Sequence, residues 1–170
     1  MDLFLKTSMI MKPLLILTLS CLLGLSCQSQ KKISVSVNYL QPYCGGARPT
    51  PEMEAEAQTP KPLTSSSLVL IDSKGKAKTV KTDKNGKLNL KLKEGNYLLK
   101  ETWRHKQTTP NGEAITKFEE PCLKEEWKLV LQSISVSKTE VKVTENYTII
   151  KYCNHSIPCF KESFKPPMRE

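Results

Sequence analysis

After its first 32 residues the chain is predicted to fold as an all-β sandwich of about seven to nine strands. Short segments alternate apolar and polar residues, as in Ile33–Val37 and Leu88–Leu92, and this is the period of a half-buried strand. Gly, Asn and Asp separate these segments and favour turns. No segment after Lys61 has the 3.6-residue apolar spacing of a long helix. Many short strands joined by turns in one domain indicate two packed sheets.

The strands are predicted where this alternation or a short apolar run occurs. They are Ile33–Val37, Leu68–Ile71, Ala77–Lys81, Leu88–Leu92, Tyr97–Thr102, Trp127–Leu131, Glu140–Thr144 and Tyr147–Tyr152. Good helix formers follow a proline in Glu52–Gln58, which predicts a short helical turn inside a long loop. His105–Glu120 is polar and contains Pro110-Asn111-Gly112, so it is predicted to be a second long loop.

The first 26 residues have the layout of a secretory signal peptide. Lys6 and Lys12 precede the apolar run Leu14–Leu25, which is shorter than the roughly 20 residues of a membrane-spanning helix. Translation could begin at any of three methionines: Met1, Met9 and Met11.

The leader ends in Leu23-Gly24-Leu25-Ser26-Cys27, which resembles the lipobox of bacterial lipoproteins, although Gly24 stands where that family usually has Leu. The resemblance implies that Cys27 carries a diacylglycerol and becomes the acylated (palmitate-bearing) N-terminus, and several acyl chains anchor a protein stably. Lipidation at Cys27 has two alternatives: an ordinary cleaved signal peptide without a lipid, or lipidation of Cys21. Because Gln28 rather than Asp follows Cys27, the resemblance points to an outer-membrane lipoprotein, on either its periplasmic or its surface face.

The predicted organisation is therefore a signal peptide at residues 1–26, a lipidated tether at 27–32, the β-sandwich at 33–160 and a disordered tail at 161–170. The chain carries a net charge of +9, and cleavage before Cys27 leaves 24 basic and 16 acidic residues. Nucleic acid is not expected as a partner of an exported protein. Acidic glycans or lipopolysaccharide phosphates are possible partners, but alternating lysines are also typical of solvated strand faces.

Four cysteines remain in the mature chain besides Cys27, and an even number in an exported protein predicts two disulfides. They are Cys44, Cys122, Cys153 and Cys159. Four cysteines allow three pairings, which the sequence cannot distinguish. The pairing we favour is Cys153–Cys159 with Cys44–Cys122.

Residues 79–97 place two glycine-containing turns around an alternating strand, as Thr82–Gly86, Leu88–Leu92 and Gly95-Asn96-Tyr97. This pattern resembles the core of carboxypeptidase regulatory-like domains, which are transthyretin-like (prealbumin-like) Greek-key sandwiches. The resemblance covers about residues 33–103. It implies that Gly86 and Gly95 form two hairpin turns and that the leucines fill one face. Related adhesin domains can carry a Lys–Asn isopeptide bond, which the sequence leaves open.

The chain carries none of the catalytic motifs of the enzymes linked to this fold, and we expect no enzyme activity, cofactor or metal. Hydroxyisourate hydrolases need several histidines, whereas only His105 and His155 occur here. The spacing Cys153-x-His155-x₃-Cys159 offers three soft ligands, but structural zinc needs a fourth, and a disulfide is favoured outside the cytoplasm.

The function expected from the sequence is that of a lipid-anchored, non-enzymatic envelope module with a structural or binding role. The alternative is a glycan- or peptide-capturing lipoprotein associated with an outer-membrane uptake system, or one that binds another envelope protein. Its candidate binding residues are Tyr43, Arg48 and Trp103, because loops on a rigid sandwich often carry binding. An envelope hydrolase with a histidine base is the weaker alternative.

Overall fold

The computed structural model describes residues 29–153 and 156–161. These residues form ten strands: β1 Lys31–Ser36, β2 Asn38–Leu40, β3 Lys61–Pro62, β4 Ser67–Asp72, β5 Ala77–Lys81, β6 Lys87–Leu92, β7 Gly95–Glu101, β8 Gln132–Val136, β9 Val141–Glu145 and β10 Ile149–Ile150. They also form the helices α1 Pro51–Gln58, α2 Thr102–His105 and α3 Glu120–Lys128, and a 3-10 helix at Ile115–Lys117. The predicted leader, Cys27, His155 and all but the first residue of the predicted tail lie outside the described residues.

Most of these strands pair antiparallel. One sheet has five strands in the order β5-β4-β7-β8-β9, and two smaller sheets are β1-β6 and β10-β2-β3, in which β10 and β2 run parallel. Val37 alone separates β1 from β2. Its N–H donates to the carbonyl of Gly86 and its carbonyl accepts from the N–H of Leu63, both at 2.9 Å. Val37 therefore links the two smaller sheets, because it bonds on one side to the residue before β6 and on the other to the residue after β3.

The core consists of apolar side chains from all three sheets. On β6 the alternation predicted from sequence places Leu88, Leu90 and Leu92 inside and the residues between them in solvent. They belong to one apolar cluster with side chains of β1, β4, β7 and β8, among them Val35, Leu68, Leu70, Leu99 and Ile134. Burial of this kind contributes about 25 cal/mol for each Å² of apolar surface removed from water, and it holds the layers together.

Two of the predicted hairpins are instead crossings between sheets. β5 and β7 belong to the five-stranded sheet, whereas β6, which lies between them in sequence, pairs with β1. The glycines do adopt positive φ, 72° at Gly86 and 146° at Gly95, as such turns require. The prediction of hairpins was wrong because the turn residues define a reversal of the chain but not the strand with which the next segment pairs.

The predicted strand Trp127–Leu131 was also wrong, because Trp127 lies in helix α3. Pro121 stands in the first helical turn, where its missing N–H does no harm. Leu123 is fully buried, and Trp127 lies four residues later on the same side of the helix. The neighbouring strand begins instead at Gln132. The seven other predicted strands and the helical turn are confirmed to within two residues at their ends.

The four predicted cysteines form two disulfides, but the pairing that we favoured was wrong. The bonds join Cys44 to Cys153 and Cys122 to Cys159, with Cα–Cα distances of 5.4 and 5.5 Å. The first follows from the parallel pairing of β2 with β10, because the segments that leave these two strands run on side by side. The second follows from a backbone bridge between Phe118 and Phe160, beside which the N–H of Glu119 donates to the carbonyl of Cys159.

Candidate functional site

A second apolar cluster, separate from the sandwich core, is built from the helices and the last described residues. Phe118, Leu123 and Ile157 are buried at its centre. The rings of Phe118 and Phe160 meet edge to face at 5.1 Å between centroids, and the bond between Cys122 and Cys159 closes over the same segment. Trp103, Trp127 and Tyr152 pack around it. This cluster fixes the residues that follow β7, including Trp103.

Arg104 is a buried cation beside that cluster, with only 3% of its surface exposed. Its Nε donates to Oε2 of Glu101 at 2.8 Å, and its Nη1 donates both to the carbonyl of Glu126 at 2.8 Å and to the Glu126 carboxylate. The guanidinium lies 4.2 Å from the ring centroid of Trp103 and 5.0 Å from that of Tyr147. Both rings therefore contribute cation–π contacts to a charge that the protein almost closes off from water.

Glu101 is the acceptor at the centre of this network. Its carboxylate also accepts hydrogen bonds from the hydroxyl of Tyr147 at 2.6 Å and from Nε1 of Trp103 at 3.2 Å. Burial raises the pKa of Tyr147, and the negative charge of Glu101 raises it further. Burial alone would lower the pKa of Arg104, but its hydrogen bonds to Glu101 and Glu126 outweigh this effect and raise it. The arginine therefore stays charged and the tyrosine stays neutral at any physiological pH.

A cleft of about 740 Å³ lies beside Trp103. The core residues Leu63, Leu68 and Ile149 contribute apolar surface to it, and Trp103 and Ile115 add more. Its polar lining includes hydroxyl and charged side chains: Ser66, Ser67, Thr102, Lys106, Thr108 and Glu113. Small-ligand sites are usually concave and combine apolar surface with a few polar groups, and this open cleft has both kinds of lining.

The loop beside the cleft is held by specific hydrogen bonds. The N–H of Thr108 donates to the carbonyl of Trp103 at 3.0 Å, and Nε1 of Trp127 donates to the carbonyl of Thr108 at 2.8 Å. Buried Thr109 donates through its hydroxyl to the carbonyl of Glu113 at 2.7 Å. The loop between α2 and the 3-10 helix is therefore tied both to itself and to α3, so the cleft is pre-formed.

The three residues predicted to bind a ligand are not brought to one site. Trp103 lines the large cleft together with Ile149, whereas Tyr43 lines a separate groove of about 320 Å³ together with Ile150. Successive residues of a strand point to opposite faces, so these two cavities lie on opposite sides of β10. Arg48 is exposed in the loop before α1.

Tyr43 is packed locally against its own loop. A Cβ added at Gly45 would overlap the hydroxyl oxygen of Tyr43, so the ring occupies the space that this glycine leaves open. The carbonyl oxygen of Pro42 lies 3.4 Å from Sγ of Cys44, in the same turn of chain. The disulfide from Cys44 to buried Cys153 then fixes the loop to the segment after β10.

The candidate metal and catalytic groups are also placed. Within the described residues no group of three His, Cys, Asp or Glu side chains is arranged to hold a metal ion. Cys153 and Cys159, proposed above as alternative ligands, are each bonded to another cysteine. His105 is exposed in α2. In the same described part of the chain, no helix is both long and apolar enough to span a membrane.

Sequence reasoning found Trp103 but missed the charged network around it. The spacing of Glu101 and Arg104, three residues apart in a helical turn, is the one local signal that could have suggested an ion pair. Glu126 and Tyr147 come from α3 and from the segment after β9, and no spacing in the sequence brings them to Arg104.

Comparison with known families identifies the fold. Residues 54–117 match the family model of the SpaA prealbumin-like fold domain. The matched segment runs from α1 through β3–β7 to the 3-10 helix, so it includes the cleft-lining residues of α2 and of the loop that follows. No curated protein and no solved structure matches the chain. Together with the antiparallel sheets described above, the match confirms an all-β, prealbumin-like β-sandwich.

Proposed function

We propose that this protein is a lipid-anchored, non-enzymatic module of the bacterial cell envelope, built on a prealbumin-like sandwich of the carboxypeptidase regulatory-like kind. The observation that carries the proposal is the pair of disulfides, which join segments 109 and 37 residues apart in sequence. Such bonds form and persist in oxidising compartments outside the cytoplasm. They agree with a leader that ends in the lipobox-like Leu23–Cys27.

A structural role is supported by the way in which the conspicuous polar groups are satisfied. Arg104 and Tyr147 both donate to the carboxylate of Glu101, so these polar groups satisfy one another although Glu101 also lines the cleft. The two disulfides and the second apolar cluster stiffen the same region. A rigid domain held close to a membrane by Cys27 suits a scaffold or spacer in the envelope.

The anchoring proposal is tested by metabolic labelling with an alkynyl palmitate analogue, comparing the wild-type chain with Cys27→Ser. We expect label in the wild-type membrane fraction and none in the variant, with uncleaved leader accumulating. Cys21→Ser is the matched control, because it removes the other leader cysteine and should leave labelling unchanged. Label retained by Cys27→Ser and lost from Cys21→Ser would move the lipid to Cys21, and no label in any chain would refute lipidation.

The cleft beside Trp103 favours a second function, capture of a glycan or short peptide. Trp103 provides aromatic surface, and Lys106 with the neighbouring hydroxyls can hydrogen-bond to a polar ligand. A glycan and peptide array should then show binding that Lys106→Ala and Ile115→Ala weaken. Val143→Ala on β9 is the control, because Val143 is similarly exposed (42% against 49% for Ile115) but does not line the cleft. An array without binding above background would leave the structural role alone.

A further inference from the structure

The outer face of the two-stranded sheet is basic. Its exposed residues are Lys32, Ser34 and Ser36 on β1, and Lys87, Asn89 and Lys91 on β6. Burial alternates along both strands, so these side chains point away from the core, and Lys93 follows at the same spacing beyond β6. The face carries three lysines and no acidic residue.

Within the described residues the lysines of this face lack an ion-pair partner, as do several lysines of the five-stranded sheet, such as Lys78 and Lys142. In helix α3, by contrast, Lys124 pairs with Glu120 at 2.7 Å and Lys128 with Glu125 at 2.6 Å.

Asp83 is an acidic group close to Lys87 in sequence: its carboxylate accepts hydrogen bonds from the backbone of Lys87 and Asn85 and from the Asn89 amide, and these bonds together with the charge of Lys87 lower its pKa. Asp83 therefore offsets part of the charge of Lys87, and Lys32 and Lys91 carry the remaining positive charge of the face.

The register of the sheet adds to this imbalance. Lys32 lies directly opposite Lys91, and its neighbour Ser34 lies opposite Asn89. Like charges in directly opposed strand positions destabilise a sheet. The fold itself gains nothing from this pair, and an anion outside the protein would offset its repulsion.

The length of chain between the face and the proposed anchor indicates which anion is at hand. Cys27 precedes the first residue of β1, Lys31, by four residues. Even a fully extended chain of that length spans only about 14 Å. This step rests on the proposed lipidation of Cys27, which would keep the start of β1 close to the headgroups of the membrane.

We propose that the β1–β6 face docks on the anionic lipid headgroups of the membrane that holds the anchor. The acyl chains supply attachment, and the lysines orient the sandwich with this face toward the bilayer. Each lysine near an anionic surface strengthens attachment roughly fivefold. The interaction is electrostatic and is screened by salt, since the Debye length falls to about 3 Å at 1 M ionic strength.

The test uses the acylated mature protein in vesicles of phosphatidylcholine alone or with phosphatidylglycerol added. Lysines are acetylated with a membrane-impermeant reagent and quantified by mass spectrometry. We expect Lys87 and Lys91 to react more slowly in the anionic vesicles than in phosphatidylcholine alone, and this protection to be lost in 1 M NaCl. Lys142, exposed on β9 of the five-stranded sheet, should react at the same rate in both kinds of vesicle.

A pair of charge-matched variants tests the face itself. Lys32→Gln with Lys91→Gln should abolish the protection of Lys87, whereas Lys78→Gln with Lys142→Gln, which removes the same charge from the five-stranded sheet, should preserve it. Acylated, vesicle-bound protein without lipid-dependent protection, or with Lys142 protected instead, would overturn the orientation and leave the anchor intact. Mature protein without acyl chains would overturn both the anchor and the orientation.

Discussion

Nε of Arg104 lies 2.8 Å from Oε2 of Glu101, and both side chains are largely buried, 3% and 16% exposed. Taking two opposite charges out of water is unfavourable, and their attraction compensates only when further hydrogen bonds complete the geometry. Here Tyr147, Trp103 and the carbonyl of Glu126 complete it. The pair therefore joins the end of β7 to α3 and to the segment after β9.

Arg104→Met is expected to destabilise the protein by about 3–5 kcal/mol, because it leaves the Glu101 carboxylate buried without a counter-charge. The measurement is urea unfolding at neutral pH. Lys124→Met is the control, since the Lys124–Glu120 pair is exposed to solvent and its loss should change the urea midpoint little. Adding Glu101→Gln to Arg104→Met should recover part of the loss. If Arg104→Met and Lys124→Met lowered the free energy of unfolding equally, the buried pair would contribute no more to stability than the exposed one.

The buried hydroxyl of Tyr147 should make the stability of the protein depend on pH in the alkaline range. Its pKa is raised in the folded protein, first by burial and then by Glu101, whereas in the unfolded chain a tyrosine titrates near pH 10. The folded state therefore holds the proton more tightly. The stability that this gives is complete below about pH 10 and is lost as pH rises through the folded pKa.

The free energy of unfolding should thus fall above about pH 10, and Tyr147→Phe should fall less steeply over the same range. At pH 8 the variant should be less stable by about 1 kcal/mol, because it loses the hydrogen bond to Glu101. Tyr39→Phe, on β2, where the ring contacts Lys151 rather than Glu101, is the control and should keep the wild-type slope. Parallel pH profiles for wild type and Tyr147→Phe would contradict this account.

Local sequence patterns predicted the strands well because they reflect local physics. β5 was predicted residue for residue, and the leucines of β6 lie on the face that their alternation indicates. Turn positions followed from Asp-x-x-Gly sequences for the same reason. Helix α3 was missed because its nine residues mix charged side chains with only a few apolar ones, and Pro121 was not recognised as a helix start.

Contacts distant in sequence could not be predicted. The parallel pairing of β2 with β10 decides which cysteine lies beside Cys44. Strands β3 and β10 have only two residues each, so the sequence shows no alternation that would reveal how they pair. The same limit applies to the candidate site. Trp103 stood out as a large aromatic residue in a loop, but the partners of Arg104 come from elements far along the chain.

The two Asp-x-x-Gly turns allow a comparison of glycines in the same geometry. Asp72 and Asp83 each accept backbone N–H bonds two and four residues later, and Gly75 and Gly86 have φ of 79° and 72°. A Cβ at Gly75 would meet nothing within 4 Å, whereas one at Gly86 would lie 2.9 Å from the Val37 carbonyl oxygen. The two sites differ in packing alone.

Gly75→Ala should therefore cost about 1 kcal/mol, the strain of a left-handed backbone with a side chain. Gly86→Ala should cost about 2–4 kcal/mol, because the backbone joining the two smaller sheets must also move. Urea unfolding of both variants measures the difference. Equal losses would mean that the contact between Gly86 and Val37 is looser than the structure has it.

A tryptic digest without reduction can test the disulfide pairing. Without reduction, trypsin should leave Cys153 and Cys159 on one peptide, Tyr152–Lys161, and Cys122 on another, Phe118–Lys124. The bonds Cys44–Cys153 and Cys122–Cys159 would then hold three peptides in one assembly. A separate peptide containing a closed Cys153–Cys159 bridge would contradict the structure.

Paired serine variants separate the two bonds and measure them. In Cys122→Ser with Cys159→Ser, the peptide that contains Cys44 should stay linked to Tyr152–Lys161, which distinguishes Cys44–Cys153 from Cys44–Cys159. From loop length, removing the bond across 109 residues should destabilise the protein by roughly 5 kcal/mol and the bond across 37 residues by roughly 4 kcal/mol. Because a longer closed loop restricts the unfolded chain more, Cys44→Ser with Cys153→Ser should unfold at the lower urea concentration. The reverse order would show that the second apolar cluster depends on its bond for packing as well as for chain restriction.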